Sequence, residues 1–167
     1  SAMRDLFQKL TVQSKISLRF SIEQTGIAPD QGPAYYHIAR FIRCMEYAPL
    51  YPDGVWQIDA DFLFHRDPAP MFDALASHDV GLWLLPSRIT EPHNRIAAGA
   101  FGVNNTKAGR DYLKLVAGYL AWLWRHGRIR WGADQVALWF VLMYLRKVER
   151  TPRILAVNEE IYSECED

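Results

Sequence analysis

Val55-Trp56-Gln57-Ile58-Asp59-Ala60-Asp61 is the stretch on which the fold turns. Val55 to Ile58 form a short, mainly apolar run bounded upstream by Pro52 and Gly54, as expected of a buried parallel strand. The run ends on two acids at i and i+2. In an extended chain these side chains point the same way, roughly 6–7 Å apart. Open α/β sheets bind ligands beyond the carboxyl ends of their strands, which is where this pair falls. Hard divalent cations such as Mg²⁺ and Mn²⁺ take carboxylate oxygens and share them with substrate phosphates. A solvated turn with two surface acids would read the same, and a bare Asp-x-Asp recurs by chance.

Working outward, Pro33 suits the first position of a helix. The pattern predicts that helix over Ala34 to Tyr47, with Tyr35, Ile38, Ile42 and Met45 on one side and His37, Arg40 and Cys44 near another line. Pro49, Pro52 and Gly54 end it. Before it, Lys15 to Ile22 alternates as a half-buried strand does, and Thr25 to Gly32 reads as a loop. After the acid pair come Phe62 to Phe64, a short helix near Pro70 to Ala76, and an apolar strand from Val80 to Leu85 closed by Pro86. A polar loop, Ser87 to Arg95, leads to a strand over Ala97 to Val103, whose glycines permit close approach of a ligand or backbone. Thr106 can cap a helix running to about Arg125, with Gly127 as its stop. A second long helix spans Ala133 to Lys147, and Arg153 to Val157 reads as a last strand. This alternation predicts an α/β fold, a mixed and mostly parallel sheet flanked by helices.

The length, 167 residues, fits one domain over residues 4–167, with residues 1–3 reading as an expression-tag remnant. Nineteen basic residues balance nineteen acidic ones, which excludes a strongly basic nucleic-acid module and an acidic solvating protein. Half the residues are hydrophobic, which excludes a disordered tail. Cys44 and Cys165 lie too far apart in sequence to suggest a disulfide framework or a Cys-rich metal site. The longest apolar run, Val136 to Leu145, falls short of the roughly 18–20 residues that cross a bilayer and reads as a helix buried on most sides. No transmembrane segment and no signal peptide are expected, and a cytoplasmic location is. The Trp-rich stretch Leu120 to Trp131 reads as core packing, with a membrane-surface or partner face as the alternative.

The order of features around the acid pair is similar to that of the A-type (GT-A) nucleotide-sugar glycosyltransferases. The nearest likeness is to the bacterial families related to glycosyltransferase family eight and to capsule or lipopolysaccharide transferases. A helix with Tyr36 and Arg40 precedes the strand into Asp59-Ala60-Asp61; a small-residue strand over Ala98 to Asn104 follows; Asp134-Gln135 opens a late helix after Trp131-Gly132. The likeness covers roughly Tyr35 to Val157. It implies a GT-A-like fold, truncated in the N-terminal nucleotide-binding half because only some 56 residues precede Asp59 after the tag remnant.

The resemblance also implies roles. Asp61 would bind a Mn²⁺ or Mg²⁺ bridging the donor diphosphate, and Asp59 the ribose or the metal's water shell. Arg40 would neutralise phosphate or pair with an acid of the Asp-x-Asp. Gly99 and Asn104 would lie beside the donor sugar, and Asp134 and Gln135 would act near the reacting carbon. Relatives complete the metal shell with a late histidine. The last one here, His126, precedes the Asp-Gln, which leaves Glu159, Glu160 or Glu164 as substitutes.

Each position has a plainer reading. Arg40 suits a structural ion pair, Asp134 and Gln135 suit a helix start, and Gly99 suits tight packing. His37, His65 and His93 read as ordinary histidines, and Cys44 as buried and inert. The expectation is a metal-dependent glycosyltransferase moving a sugar from a nucleotide-diphosphate donor to a glycan or related acceptor. The alternative is a non-catalytic binding or assembly module, and a third reading is a phosphate-transferring or hydrolytic enzyme using the same acids.

Overall fold

The computed structural model describes residues 26–27, 32–59, 62–64, 67–85, 90–91, 95–157 and 162–164. Helix α1 spans Gly32–Tyr47 and runs into a 3-10 turn, Ala48–Leu50. Strand β1 is Val55–Ile58 and β2 is Phe62–Phe64. Helix α2, Ala69–Leu75, precedes β3, Val80–Leu84, and β4, Ile96–Val103. Two long helices follow, α3 over Lys107–Arg125 and α4 over Ala133–Lys147. Strand β5 is Ile154–Val157, and β6 is Tyr162–Glu164. The strand expected over Lys15 to Ile22 lies outside the described residues, as do His65, His93, Glu159, Glu160 and Cys165.

The main sheet has the order β1-β4-β3-β5, and β2 pairs with β6 in a small antiparallel ribbon. Strands β1, β3 and β5 run one way; β4 lies between β1 and β3 and runs the other. The sheet is therefore mixed, as expected, but not mostly parallel, since two of its three ladders are antiparallel, and β1 differs from its expectation in two respects. It is antiparallel to its one neighbour in the sheet, β4, and it is half-buried at an edge. The reason lies in the connection from β3, which turns back as an antiparallel neighbour and places β4 where a parallel partner for β1 would otherwise sit. A register shift in β4 sets Leu82 opposite Phe101 but Trp83 opposite Ala97. The extra residues, 98–100, bulge beside the carboxyl end of β1.

Helices α1, α3 and α4 pack on one sheet face over a core that includes Phe41, Phe101, Tyr112 and Leu138. Phe41 and Phe101 meet with ring centroids 5.5 Å apart, and the Tyr112 hydroxyl donates to the Leu138 carbonyl at 2.6 Å. On the other face Met71, Trp83, Ala97, Ala100 and Val157 form a smaller core, joined by Trp56 and Ile58. The Trp56 indole lies flat across Gly81 of β3 and Gly102 of β4. A Cβ at Gly102 would stand 2.9 Å from the ring, and one at Gly81 would overlap it.

The ends of α3 follow the sequence signals. The Thr106 hydroxyl accepts from the Gly109 amide at 3.0 Å, and Gly127 adopts φ +61° where the chain leaves the helix. Two helical faces differ from expectation. On α1 the buried line is Ile38, Phe41 and Cys44, continued by Ala48 of the 3-10 turn, with Met45 exposed. On α4 one stripe alone is buried, Ala137, Leu138, Val141, Leu142 and Leu145, while Phe140 and Tyr144 face outward. The aromatic stretch is also less buried than expected. Trp124 packs against the core and Tyr35, but Trp122 is exposed and Trp131 is 80% exposed. Cys44 is buried, and burial pushes its thiol up to about 12, out of reach of thiolate chemistry. No helix among the described residues is long and apolar enough to cross a membrane.

Asp79 ties the sheet to α3. Its carboxylate accepts from the Thr106 hydroxyl at 2.7 Å and from the Arg153 amide at 2.7 Å, and its other contacts come from the Arg153 guanidinium. Burial pushes this carboxyl up, but the Arg153 and Thr106 hydrogen bonds and the Arg153 charge outweigh it and hold the group below its usual range.

Candidate functional site

Three elements meet at the carboxyl end of β1. Helix α1 packs against β1, α3 and α4, so its inward polar residues reach both the strand end and the start of α4. His37 and Arg40 sit one turn apart on α1, at the i, i+3 spacing that brings side chains onto one face. On β1, Gln57 and Asp59 alternate with Trp56 and Ile58, so they face the helices while the other two face the second core. The Asp59 amide donates to the Gly99 carbonyl at 2.9 Å, which fixes the strand end against the bulge in β4.

The Arg40 guanidinium spans the gap between two carboxylates. One terminal nitrogen donates to Asp59 Oδ1 at 2.5 Å, and the other donates to Asp134 Oδ2. His37 Nδ1 lies 2.9 Å from the same Asp134 oxygen. The second oxygen of Asp134 accepts from the Gln135 amide at 2.8 Å. Gln57 Nε2 approaches Asp59 Oδ1 at 3.5 Å, the outer limit of a hydrogen bond. Asp134 is only 1% exposed, and it stands in the first turn of α4, where an acid complements the helix dipole. Burial alone would raise its carboxyl. The His37 hydrogen bond, the charge of Arg40, the neighbouring imidazole and the Gln135 amide overcome that and hold it below its usual value.

Asp79 and Asp134 are thus both depressed in the folded state. Their contribution to stability is complete above the unfolded carboxylate value, about 3.9, and is lost as pH falls through the lower folded values. Urea midpoints should fall on acidification below about pH 4. Asp79→Asn should be less stable at neutral pH and show a shallower acid limb. A midpoint that stays level down to pH 2 in the wild type would contradict this account.

The structure brings together Arg40, Asp59, Asp134 and the Gln135 backbone, with the Gly99 carbonyl beside them. Asp61 lies outside the described residues. Asn104 is elsewhere. It follows Val103, which pairs with Val55 and Val80 at the opposite end of the sheet from Asp59. Its buried amide donates to the carbonyls of Leu75, Ala76 and His78 and closes the turn after α2. His37 and Gln57 join the cluster although sequence reasoning passed over both. The signal for His37 was its spacing from Arg40.

Two carboxylates against one guanidinium leave the described cluster with one formal negative charge when His37 is neutral. Such a site attracts an anionic diphosphate only together with a cation. Among the described residues no group of three or more His, Cys, Asp or Glu is placed to hold a metal ion. A Mg²⁺-class ion shared with substrate phosphates takes only one or two carboxylates from the protein, and Asp59 is a donor of that kind. Comparison with known proteins adds no relative: no family model, no curated protein and no solved structure matches the chain.

Proposed function

We propose that this chain is a glycosyltransferase domain, GT-A-like in fold, that takes a nucleotide-diphosphate sugar with Mn²⁺ or Mg²⁺ and moves the sugar to a glycan or related acceptor. One observation carries the reading: a single guanidinium, Arg40, links the acid at the carboxyl end of β1 to the acid at the start of α4. These are the two positions that sugar transfer requires near each other, one for the diphosphate and one for the sugar. The bound cation supplies charge neutralisation of the departing diphosphate. Asp59, with Asp61, holds that end of the donor. Arg40 restrains Asp59 and adds positive charge where negative charge develops. Asp134, held through both oxygens and sealed from water, fixes Arg40 and His37 beside the start of α4, where Gln135 follows it.

Calorimetric titration tests this. Uridine or guanosine diphosphate with Mn²⁺ should bind the chain, and either component alone should bind far more weakly. Asp61→Ala and Asp59→Asn should each weaken the ternary binding at least tenfold. Absence of binding by the wild type, or undiminished binding by Asp61→Ala, would overturn the reading.

A second reading, a binding or assembly module, is favoured by one observation. Between α3 and α4 an open groove of about 360 Å³ is lined by Leu115, Tyr119, Phe140, Val141 and Tyr144, all apolar or aromatic. Exposed apolar area of this kind marks association surfaces. A monomer in sedimentation at all concentrations, with intact diphosphate binding, favours the transferase over it.

A further inference from the structure

The charge of this chain is balanced in total and divided along its length. Residues 107–150, which make up α3, α4 and their connection, hold nine Lys and Arg against three acids, while the rest of the chain holds ten against sixteen. All nine of those cations are exposed, and one of the three acids, Asp134, is buried. Asp111 is already shared by Lys107 at 2.7 Å and Arg150 at 2.6 Å, which leaves Glu149 as the one other acid at the surface of this hairpin. Lys114, Arg125, Arg146 and Lys147 make no ion pair with any described residue.

The same hairpin turns large apolar side chains outward: Leu115, Trp122, Phe140 and Tyr144 on the helices and Trp131 in the connection. Their arrangement is regular. Leu115 and Trp122 lie two turns apart on α3, with Tyr119 between them and its ring stacked on Trp122 at 6.2 Å. Phe140, Tyr144 and Lys147 follow one another at i, i+4 and i+7 along α4. The two lines meet along the open groove of about 360 Å³. Lys107, Lys114 and Arg125 form a ridge at whole-turn spacing beside the α3 line. The Arg128 guanidinium stands over the Trp122 ring, 5.7 Å from its centroid.

We propose that this outer face of α3 and α4 docks on an anionic phospholipid surface. An apolar stripe bordered by cations is the pattern of helices lying in the plane of a bilayer interface. The rings and Leu115 enter the boundary between headgroups and acyl chains, and the Lys and Arg stems lie along that boundary with their charges on lipid phosphate. A second copy of the chain fits this face less well, because a two-fold pairing sets one cationic border against another. A nucleic acid would satisfy the cations and leave Leu115 and Val141 facing phosphate and sugar. The docking does not depend on the transferase reading.

Cosedimentation of the full chain with vesicles tests it. Phosphatidylcholine vesicles with about a third phosphatidylglycerol should bind the chain at least tenfold more tightly than phosphatidylcholine alone at physiological ionic strength. Salt at about 1 M should remove most of that difference, since screening then acts within about 3 Å. Tryptophan emission should shift to the blue on binding. Lys114→Glu with Lys147→Glu should weaken binding about thirtyfold or more, each lysine contributing about fivefold. Trp122→Ser with Phe140→Ser should weaken it at least about tenfold with the charge unchanged. All four side chains are exposed, so urea midpoints should stay near that of the wild type. Equal binding to neutral and anionic vesicles, binding to neither, or wild-type binding by either double variant would overturn the proposal. A dimer that ignores vesicles and dissociates on Phe140→Ser would assign the face to a second copy instead. Single-stranded RNA bound equally by the serine variant, with vesicles ignored, would assign it to nucleic acid.

Discussion

Arg40→Ala should destabilise the fold by about 3–5 kcal/mol, the usual cost of leaving a buried charge without its partner. Asp134 is 1% exposed and shares its Oδ2 between Arg40 and His37. Removing the guanidinium leaves that carboxylate with the His37 hydrogen bond and a backbone amide, neither of which replaces the fixed charge of Arg40. Arg40→Lys should recover only part of the loss, because one ammonium cannot reach two carboxylates on different elements as a planar fork does. The Arg40→Ala, Asp134→Ala double variant should lose less than the sum of the two single variants, since the second change removes the orphaned charge. Guanidinium chloride unfolding at neutral pH would show this. A loss under 1 kcal/mol for Arg40→Ala would mean that Asp134 is not sealed from water as described.

Phe101→Ala should cost about as much, roughly 3–5 kcal/mol, by a different route. Phe101 is fully buried and touches Phe41 of α1 at a centroid distance of 5.5 Å and Tyr112 of α3 at 6.2 Å. With Ile96, Ala98 and Val103 it carries the β4 side of the core under the helices. Truncation removes its burial and leaves a void between three elements that cannot all close on it. Because Phe41 adjoins Arg40, diphosphate binding should weaken along with stability. The same unfolding measurement, with calorimetry at a temperature where the variant stays folded, separates the two effects. A loss below 1 kcal/mol would show that the three elements collapse onto the gap.

The features that sequence exposed are those decided within a few residues. Thr106 and Gly127 mark the ends of α3 by local backbone chemistry, and both act as read. The limits of β1 and α4 were likewise legible from short-range pattern. The orientation of β1 was not, because it depends on where β4 lands after a loop, and an apolar run of four does not encode its partner. The buried face of α1 was misplaced by less than a turn: Phe41 and Cys44 turn inward because α3 crosses them, and Met45 turns outward. Arg40, Asp59 and Asp134 were legible as a set of candidates. Their connection was not, since Arg40 and Asp134 are separated by 94 positions and His37 and Asp134 by 97. Asn104 stood in a stretch that suited a binding role, and its place at the far end of β4 became visible only with the turn after α2 in view.

The indole of Trp56 reaches over β4 as far as Gly81 on β3, so an outermost strand held by one ladder is also clasped from beneath by the middle of the sheet. Side chains alternate along β1, and the clasp lies on the face opposite Gln57 and Asp59. Grip and chemistry are therefore assigned to different sides of one short ribbon. Substitutions on the upper side can alter the polar cluster while the ribbon stays seated. A Cβ at either glycine would press on the indole and loosen that clasp.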